Sequence, residues 1–281
     1  MSFIKFHRII TSTRTLSRNL KTLTNLNLPE QKITHFGFEK IPETLKQEKV
    51  NEVFHNVFKD YDIMNDVLSF GIHRIWKDYF VSKLGPVADT KLLDVAGGTG
   101  DIVFRFLNYV KEYDLKNCHV TILDINADML EVGKEKSKVL KHDPELITWQ
   151  EGNAEHLPFS DNSFDAYTIA FGIRNCTHTD KVLSEAFRVL KPGGRFLCLE
   201  FSHLENSIAQ WVYDHYSFQV IPVLGQLIAG QWKPYEYLIG SIRQFPNQKC
   251  FKNMIEEAGF RQVNYENLNL GIVAIHSGFK L

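Results

Sequence analysis

No two cysteines in this sequence stand at the short spacing of a zinc or redox motif. The chain has 281 residues and four cysteines, Cys118, Cys176, Cys198 and Cys250. Neither a CxxC nor a CxxC…HxxxH spacing occurs, so no zinc cage or dithiol motif is expected, and the thiols read as reduced and mostly buried. Nor is there a run of the roughly 18 uninterrupted apolar residues that a membrane-spanning helix needs. The nearest candidate, Ser217 to Trp232, carries three glutamines, a proline and two glycines. With a formal net charge of −1, no basic field recommends a nucleic-acid partner.

One absence is local. From Met1 to Pro29 there is no acidic residue, whereas Lys5, Arg8, Arg14, Arg18 and Lys21 lie among many serines and threonines, and Glu30 is the first acid. Leu16, Leu20 and Leu23 fall at helical spacing, so the segment can form a cationic amphipathic helix. That is the composition of a mitochondrial transit peptide; the alternative is a disordered basic arm. Either reading places residues 1–29 outside the folded domain, which is expected over 30–281. With 44% hydrophobic and 23% charged residues, that domain can bury a substantial core.

From about Val87 the chain alternates apolar runs with helical patterns, the signature of βαβ units and a parallel sheet. "KLLDVA", "HVTILDI", "LITWQEG", "FDAYTIAFGI" and "RFLCLEFS" read as strands. "DIVFRFLNYVKEY" reads as a helix with Ile102, Phe106, Leu107 and Val110 on one face, and "DKVLSEAFRVLK" as a helix stopped by Pro192 and Gly193. "FRQVNYENL" and "GIVAIHSGF" read as a closing antiparallel pair. The stretch 203–248 is too long for an ordinary connection and is expected to be a helical insertion covering the site.

The stretch "LLDVAGGTGD", Leu92 to Asp101, puts a glycine-rich turn after the first parallel strand, where a ligand can approach the backbone at the carboxyl edge of the sheet. The dinucleotide fingerprint GxGxxG fails here, because its third glycine would fall at Val103. Asp124 ends the second strand, where a carboxylate can accept both hydroxyls of an unphosphorylated ribose. In "EGNAEHLPF", after the third strand, Asn153 and the backbone beside Ala154 can address an adenine ring. Each feature alone is also explained as an ordinary turn or a solvated strand-end acid. Together they favour S-adenosylmethionine over NAD or ATP.

Two longer stretches carry a resemblance. "YDIMNDVLSFGIHRIWKDYF", Tyr61 to Phe80, and "RVLKPGGRFLCLEFS", Arg188 to Ser202, are similar to the two signatures of the ubiquinone and menaquinone biosynthesis C-methyltransferases. With "LLDVAGGTGD", "GNAEHLPFSDNSFD" and "FGIRN" in order between them, the resemblance covers about Val50 to the C-terminus. It implies the class I S-adenosylmethionine-dependent methyltransferase fold, a Rossmann-like α/β domain whose seven-stranded sheet has its last strand antiparallel. It further implies cofactor contacts at Gly97, Gly98, Thr99, Asp124, Asn153 and Ala154. Many bacterial relatives place a serine where Ala170 stands, so only a backbone contact survives there.

Taken with the transit-like arm, the resemblance points to the mitochondrial ubiquinone branch. It implies a polyprenyl benzoquinol substrate, peripheral contact with the matrix side of the inner membrane, a homodimer and membership of a multi-protein biosynthetic complex. A C-methyltransferase of a related naphthoquinol and a non-catalytic member of such a complex are the alternatives. Arg174 is the first candidate to stabilise a developing phenolate, with Asn175 and Tyr61 orienting the ring oxygen. Pairing of Arg174 with Asp62, Asp66 or another acid is the competing explanation. A guanidinium is a poor base, so the proton acceptor stays unassigned. Ile72, Trp76 and Phe80 read as core at four-residue spacing, His73 as structural, and Glu200 as a satisfied strand-end acid rather than a buried base.

Overall fold

The computed structural model describes residues 32–57 and 61–281. The expected presequence or arm, 1–29, and the side chain of Tyr61 lie outside the described residues. Residues Thr34–Leu281 form one unit. The described chain opens with a two-stranded ribbon, β1 (Ile33–Phe36) and β2 (Glu39–Pro42), followed by helices α1 (Glu43–Val57), α2 (Tyr61–Ser69) and α3 (Ile72–Leu84). Then come β3 (Lys91–Val95), α4 (Asp101–Glu112), β4 (His119–Asp124), α5 (Ala127–Val139), β5 (Ile147–Glu151), β6 (Phe164–Ala170), α6 (Thr179–Val189) and β7 (Leu190–Phe201). The last part contains α7 (Ser207–His215), a π turn at Tyr216–Val220, α8 (Ile221–Ala229), α9 (Lys233–Gln244), α10 (Gln248–Glu257), β8 (Arg261–Leu268) and β9 (Val273–Phe279).

β3 to β9 make one seven-stranded sheet in the order β5-β4-β3-β6-β7-β9-β8. β3, β4, β5, β6 and β7 pair in parallel, and β9 runs antiparallel to both β7 and β8. A short 3-10 turn, Asn269–Gly271, joins β8 to β9, and so short a link joins antiparallel neighbours but cannot make a parallel crossover.

Alternate residues of each strand point to opposite faces, and the core divides accordingly. Leu92, Ile122, Leu197 and Leu199 pack with Trp76, Phe80 and Phe106 of α3 and α4. Leu93, Leu123, Phe196 and Cys198 pack with Leu183 and Phe251 of α6 and α10 on the other face. The strand order reverses between β3 and β4 on one side and β6 on the other. The crevice above β3 and β6 is therefore where an open α/β sheet receives a ligand.

Three boundaries differ from expectation. α6 stops at Val189, before Pro192, and β7 already begins at Leu190, which pairs with Phe164 across a register shift. Gly193, at φ +82°, donates its N–H to the Lys280 carbonyl, so the glycine serves a strand kink rather than a helix cap. β6 ends at Ala170; Phe171 is left-handed, at φ +56°, and Ile173–Asn175 form a 3-10 turn. Among the described residues no helix is long and apolar enough to cross a membrane. α7 and α8 nevertheless expose Ile208, Trp211 and Leu227.

Candidate active site

The carboxyl ends of β3, β4, β5 and β6 open onto a cavity lined by Gly97, Gly98, Thr99, Asp124, Asn153 and Ala154 among others. Gly97 has to be glycine: a Cβ there would lie 2.5 Å from Ile122 Cγ1 and 2.8 Å from Asp94 Oδ2. Gly98 is left-handed and donates its N–H to Asp124 Oδ2 at 2.8 Å, and Asn126 N–H reaches Oδ1 at 2.8 Å. Burial pushes the Asp124 carboxyl up, while these backbone donors oppose the shift. Each carboxylate oxygen accepts more than one hydrogen bond, so Asp124 is held rigid with capacity left for paired hydroxyls. Asn153 Oδ1 accepts the Glu155 N–H at 2.8 Å, fixing the turn on which Ala154 meets the cavity. Thr99 is buried, its hydroxyl 3.2 Å from Lys136 Nζ. Rigid carboxylate, close glycine backbone and buried turn fit the ribose and adenine of an S-adenosyl group.

Deeper in the same cavity lies Asp94. Its Oδ1 accepts the Thr168 hydroxyl at 2.6 Å, and its Oδ2 has no partner among the described residues. Burial pushes its carboxyl up to about 7. Cys176 also lines the wall, but burial pushes its thiol up, away from the nucleophilic thiolate.

A second cavity lies beside the first and is walled mainly by apolar and aromatic side chains of α2, α3, α9 and the π turn, including Met64, Trp76, Tyr216 and Leu238. Among the described residues Lys77 and Phe171 line both cavities. Lys77 is buried, and its Nζ sits 2.5 Å from Asp101 Oδ2. The two chambers therefore meet where a polar, nucleotide-shaped space gives way to an apolar one.

Arg174 and Asn175, adjacent on the 3-10 turn, face different chambers: Arg174 lines the apolar one and Asn175 the polar one. Arg174 does not pair with Asp66, which instead holds His73 and Arg74. Its Nη1 lies 2.8 Å from Glu200 Oε1 and donates to the Phe171 carbonyl at 2.6 Å, and its plane lies over the Phe201 ring at 5.4 Å. Glu200 also accepts the N–H of Phe201 at 2.8 Å and, more weakly, that of Arg174 at 3.4 Å. Burial pushes the Glu200 carboxyl up against the opposing pull of Arg174. Glu200 is thus a satisfied strand-end acid, and its partner is the arginine itself. Asn175 Oδ1 accepts the Tyr237 hydroxyl at 2.9 Å.

Sequence reasoning did not single out Lys77, Asp94, Phe171 or Tyr237. Asp94 stands inside the quoted glycine motif and Phe171 inside "FGIRN", so a signal was there to read. Nothing in the pattern around Tyr237 marks it.

Residues 43–280 match the model of the ubiE/COQ5 methyltransferase family. A Drosophila melanogaster protein named 2-methoxy-6-polyprenyl-1,4-benzoquinol methylase, mitochondrial, is 60% identical over 260 residues, covering 90% of this chain and 86% of its own. Proteins of the same name from Bos taurus and Homo sapiens are 56% and 55% identical, each covering 88% of this chain and 84% of its own. Among solved structures, a SAM-dependent methyltransferase of Thermotoga maritima, described as a possible histamine N-methyltransferase, superposes with a TM-score of 0.56 at 18% identity, over 83% of this chain and all of its own. A Haemonchus contortus phosphoethanolamine N-methyltransferase in complex with S-adenosylhomocysteine gives 0.53 at 16%, over 73% and 52%. At such identities the structural likeness is one of fold.

Proposed function

Because this chain belongs to the ubiE/COQ5 methyltransferase family, we propose that it methylates a ring carbon of 2-methoxy-6-polyprenyl-1,4-benzoquinol in ubiquinone biosynthesis, with S-adenosyl-L-methionine as methyl donor. The observation that carries this reading is the meeting of two unlike chambers at Lys77 and Phe171. One suits an adenosyl group, and the other suits an aromatic ring with a hydrocarbon tail.

When bound, S-adenosylmethionine supplies a methyl group already activated on a sulfonium. Little is then asked of the protein beyond alignment, exclusion of water and stabilisation of charge on the ring oxygen. Asp124, Gly97 and Gly98 hold the ribose side, Asn153 and Ala154 the adenine, and Thr99 the turn between them. Arg174 offers directed N–H donors to the ring oxygen. Its charge is largely offset by Glu200, so direction matters more than net field. Asn175 orients the oxygen from the other chamber. Aromatic and aliphatic walls cover the ring and the first part of the tail, at about 0.8 kcal/mol for each buried methylene.

We further assign the chain to the matrix side of the mitochondrial inner membrane, as a peripheral homodimer within a biosynthetic assembly. The acid-free, basic N-terminal segment and the mitochondrial names of the relatives support the compartment. The apolar chamber and the exposed Trp211 and Leu227 support contact with lipid.

Purified protein given methyl-labelled S-adenosylmethionine and a short-tailed demethyl benzoquinol will put label on a ring carbon. Label confined to oxygen would overturn the assignment.

A further inference from the structure

We propose that Lys77 binds the α-carboxylate of the methionine part of S-adenosylmethionine, an end of the cofactor for which the adenosyl contacts make no provision. The proposal rests on the adenosyl reading of the polar chamber.

The sheet fixes which end of that chamber the amino acid reaches. Asn153 and Ala154 follow β5, Asp124 ends β4, and the glycine turn follows β3, so adenine, ribose and sulfur succeed one another along the order β5-β4-β3. Whatever lies beyond the ribose falls over β3 and β6. Ala170 and Phe171, at the end of β6, line this part of the chamber together with Lys77, Asp94 and Asp101. An amino acid is a zwitterion, and it needs acceptors for its ammonium and donors for its carboxylate. The two aspartates supply acceptors. Among the described residues lining the chamber, Lys77 carries the only cationic side chain.

The Lys77 ammonium is bracketed on the cofactor side. Its Nζ lies 2.5 Å from Asp101 Oδ2 and 5.9 Å from the centroid of the Phe171 ring. Asp101 begins α4 directly after the glycine turn, Phe171 directly follows β6, and both line the chamber. Asp101 has a counter-ion without Lys77, because Arg105 of the same helix donates from Nη1 to Asp101 Oδ1 and, at 3.0 Å, to the Asp101 carbonyl. Lys77 by contrast has three N–H donors and a single hydrogen-bond acceptor among the described residues. A buried ammonium with unspent donors is costly, and a carboxylate supplies both acceptors and opposite charge. Since a sulfonium is itself cationic, the ammonium belongs at the anionic far end of the methionine rather than beside the sulfur.

Two other arrangements compete. Lys77 also lines the apolar chamber, where an ammonium could stabilise the quinol oxygen. Backbone N–H groups at the start of α4 could take the carboxylate instead, and they remain in place whatever residue stands at 77.

Calorimetry on the full-length protein, native, Lys77→Met and Lys77→Gln, separates these arrangements without relying on turnover. The ligands are S-adenosylmethionine, S-adenosylhomocysteine, decarboxylated S-adenosylmethionine, which lacks only the carboxylate, and 5′-methylthioadenosine, which lacks the amino acid. Native protein is expected to bind S-adenosylmethionine about 10–100-fold more tightly than its decarboxylated analogue, the scale of one or two charge-assisted hydrogen bonds. Lys77→Met should weaken S-adenosylmethionine and S-adenosylhomocysteine by that factor, abolish the preference and leave methylthioadenosine within about threefold of native. Lys77→Met that keeps the native preference overturns the proposal: slower ring labelling would then place Lys77 at the quinol oxygen, and unchanged labelling would leave the carboxylate to the backbone. If Lys77→Met no longer binds methylthioadenosine, Lys77→Gln takes its place, and if neither variant does, the native comparison decides. Native protein that binds none of these ligands sinks the adenosyl reading, and Lys77 with it. Native protein that binds them without regard to the carboxylate sinks the Lys77 contact alone.

Discussion

The Tyr237 hydroxyl donates to Asn175 Oδ1 at 2.9 Å, joining a residue of the apolar chamber to one of the cofactor chamber. An amide has one accepting and one donating end, and Tyr237 occupies the accepting end. The NH₂ of Asn175 is then the end left to donate, the polarity an oxygen gaining negative charge requires. Tyr237→Phe frees the amide to flip. Its kcat should fall by about tenfold, roughly 1.4 kcal/mol of barrier, while calorimetry finds the affinity for S-adenosylmethionine unchanged.

The buried pair of Arg174 and Glu200 makes stability and turnover separable. Arg174→Ala leaves a carboxyl buried without its counter-ion, a loss of about 3–5 kcal/mol that chemical denaturation will register. The double variant R174M/E200L removes both charges into an apolar wall and should recover most of that stability. Ring methylation should stay depressed in it, since the directed donors are gone. Turnover returning along with stability would show that Arg174 serves only the fold.

Asp94 predicts a pH dependence of folding in the ligand-free protein. Burial is the largest cause of its rise to about 7, the Thr168 hydroxyl opposes it, and the charges of Asp124 and Asp101 add to it. A carboxyl raised in the folded state binds its proton more tightly there than in the unfolded chain. Its contribution to stability is complete below its ordinary value of 3.8 and is lost as pH rises through about 7. Between those limits stability should decline by up to about 1.4 kcal/mol per pH unit. Asp94→Asn should flatten that slope, as urea denaturation at pH 5 and pH 8 will measure.

Asp124→Asn keeps the size of the side chain but removes its charge and one of its accepting ends. S-adenosylmethionine and S-adenosylhomocysteine share the ribose, so both should bind about 10–100-fold more weakly, the scale of one or two charge-assisted hydrogen bonds. Calorimetry on the two ligands checks this. A loss confined to the methylated one would place Asp124 elsewhere than at the ribose.

The cofactor side was legible in the sequence because its parts are local. A strand of five or six residues, a glycine turn and a strand-end acid place Gly97, Gly98 and Asp124 together through the parallel register of β3 and β4. Arg174 was legible as a strand-end residue, but its partner was not. Glu200 is 26 residues away and meets it only because β6 and β7 are neighbours, with Ala170 opposite Leu199. Trp76 and Phe80 follow from helical spacing. Periodicity cannot reveal that Lys77 between them is also buried, because that depends on Asp101 arriving from α4. His73 shows the same limit: its place on a helix is a matter of pattern, whereas its hydrogen bond to Asp66 is a matter of three-dimensional packing. Tyr237 lies in the long insertion, where no turn or strand edge fixes a position in advance.

The apolar chamber is walled chiefly by α2, α3, α9 and the π turn, none of them a strand of the sheet, whereas the chamber proposed for the adenosyl group is made from loops at the strand ends. On the proposed assignment, donor and acceptor are housed in parts of the chain that can diverge separately. Grafting a different set of covering helices onto the same sheet edge would redirect the methyl group to another aromatic acceptor without rebuilding the place where the sulfonium is seated.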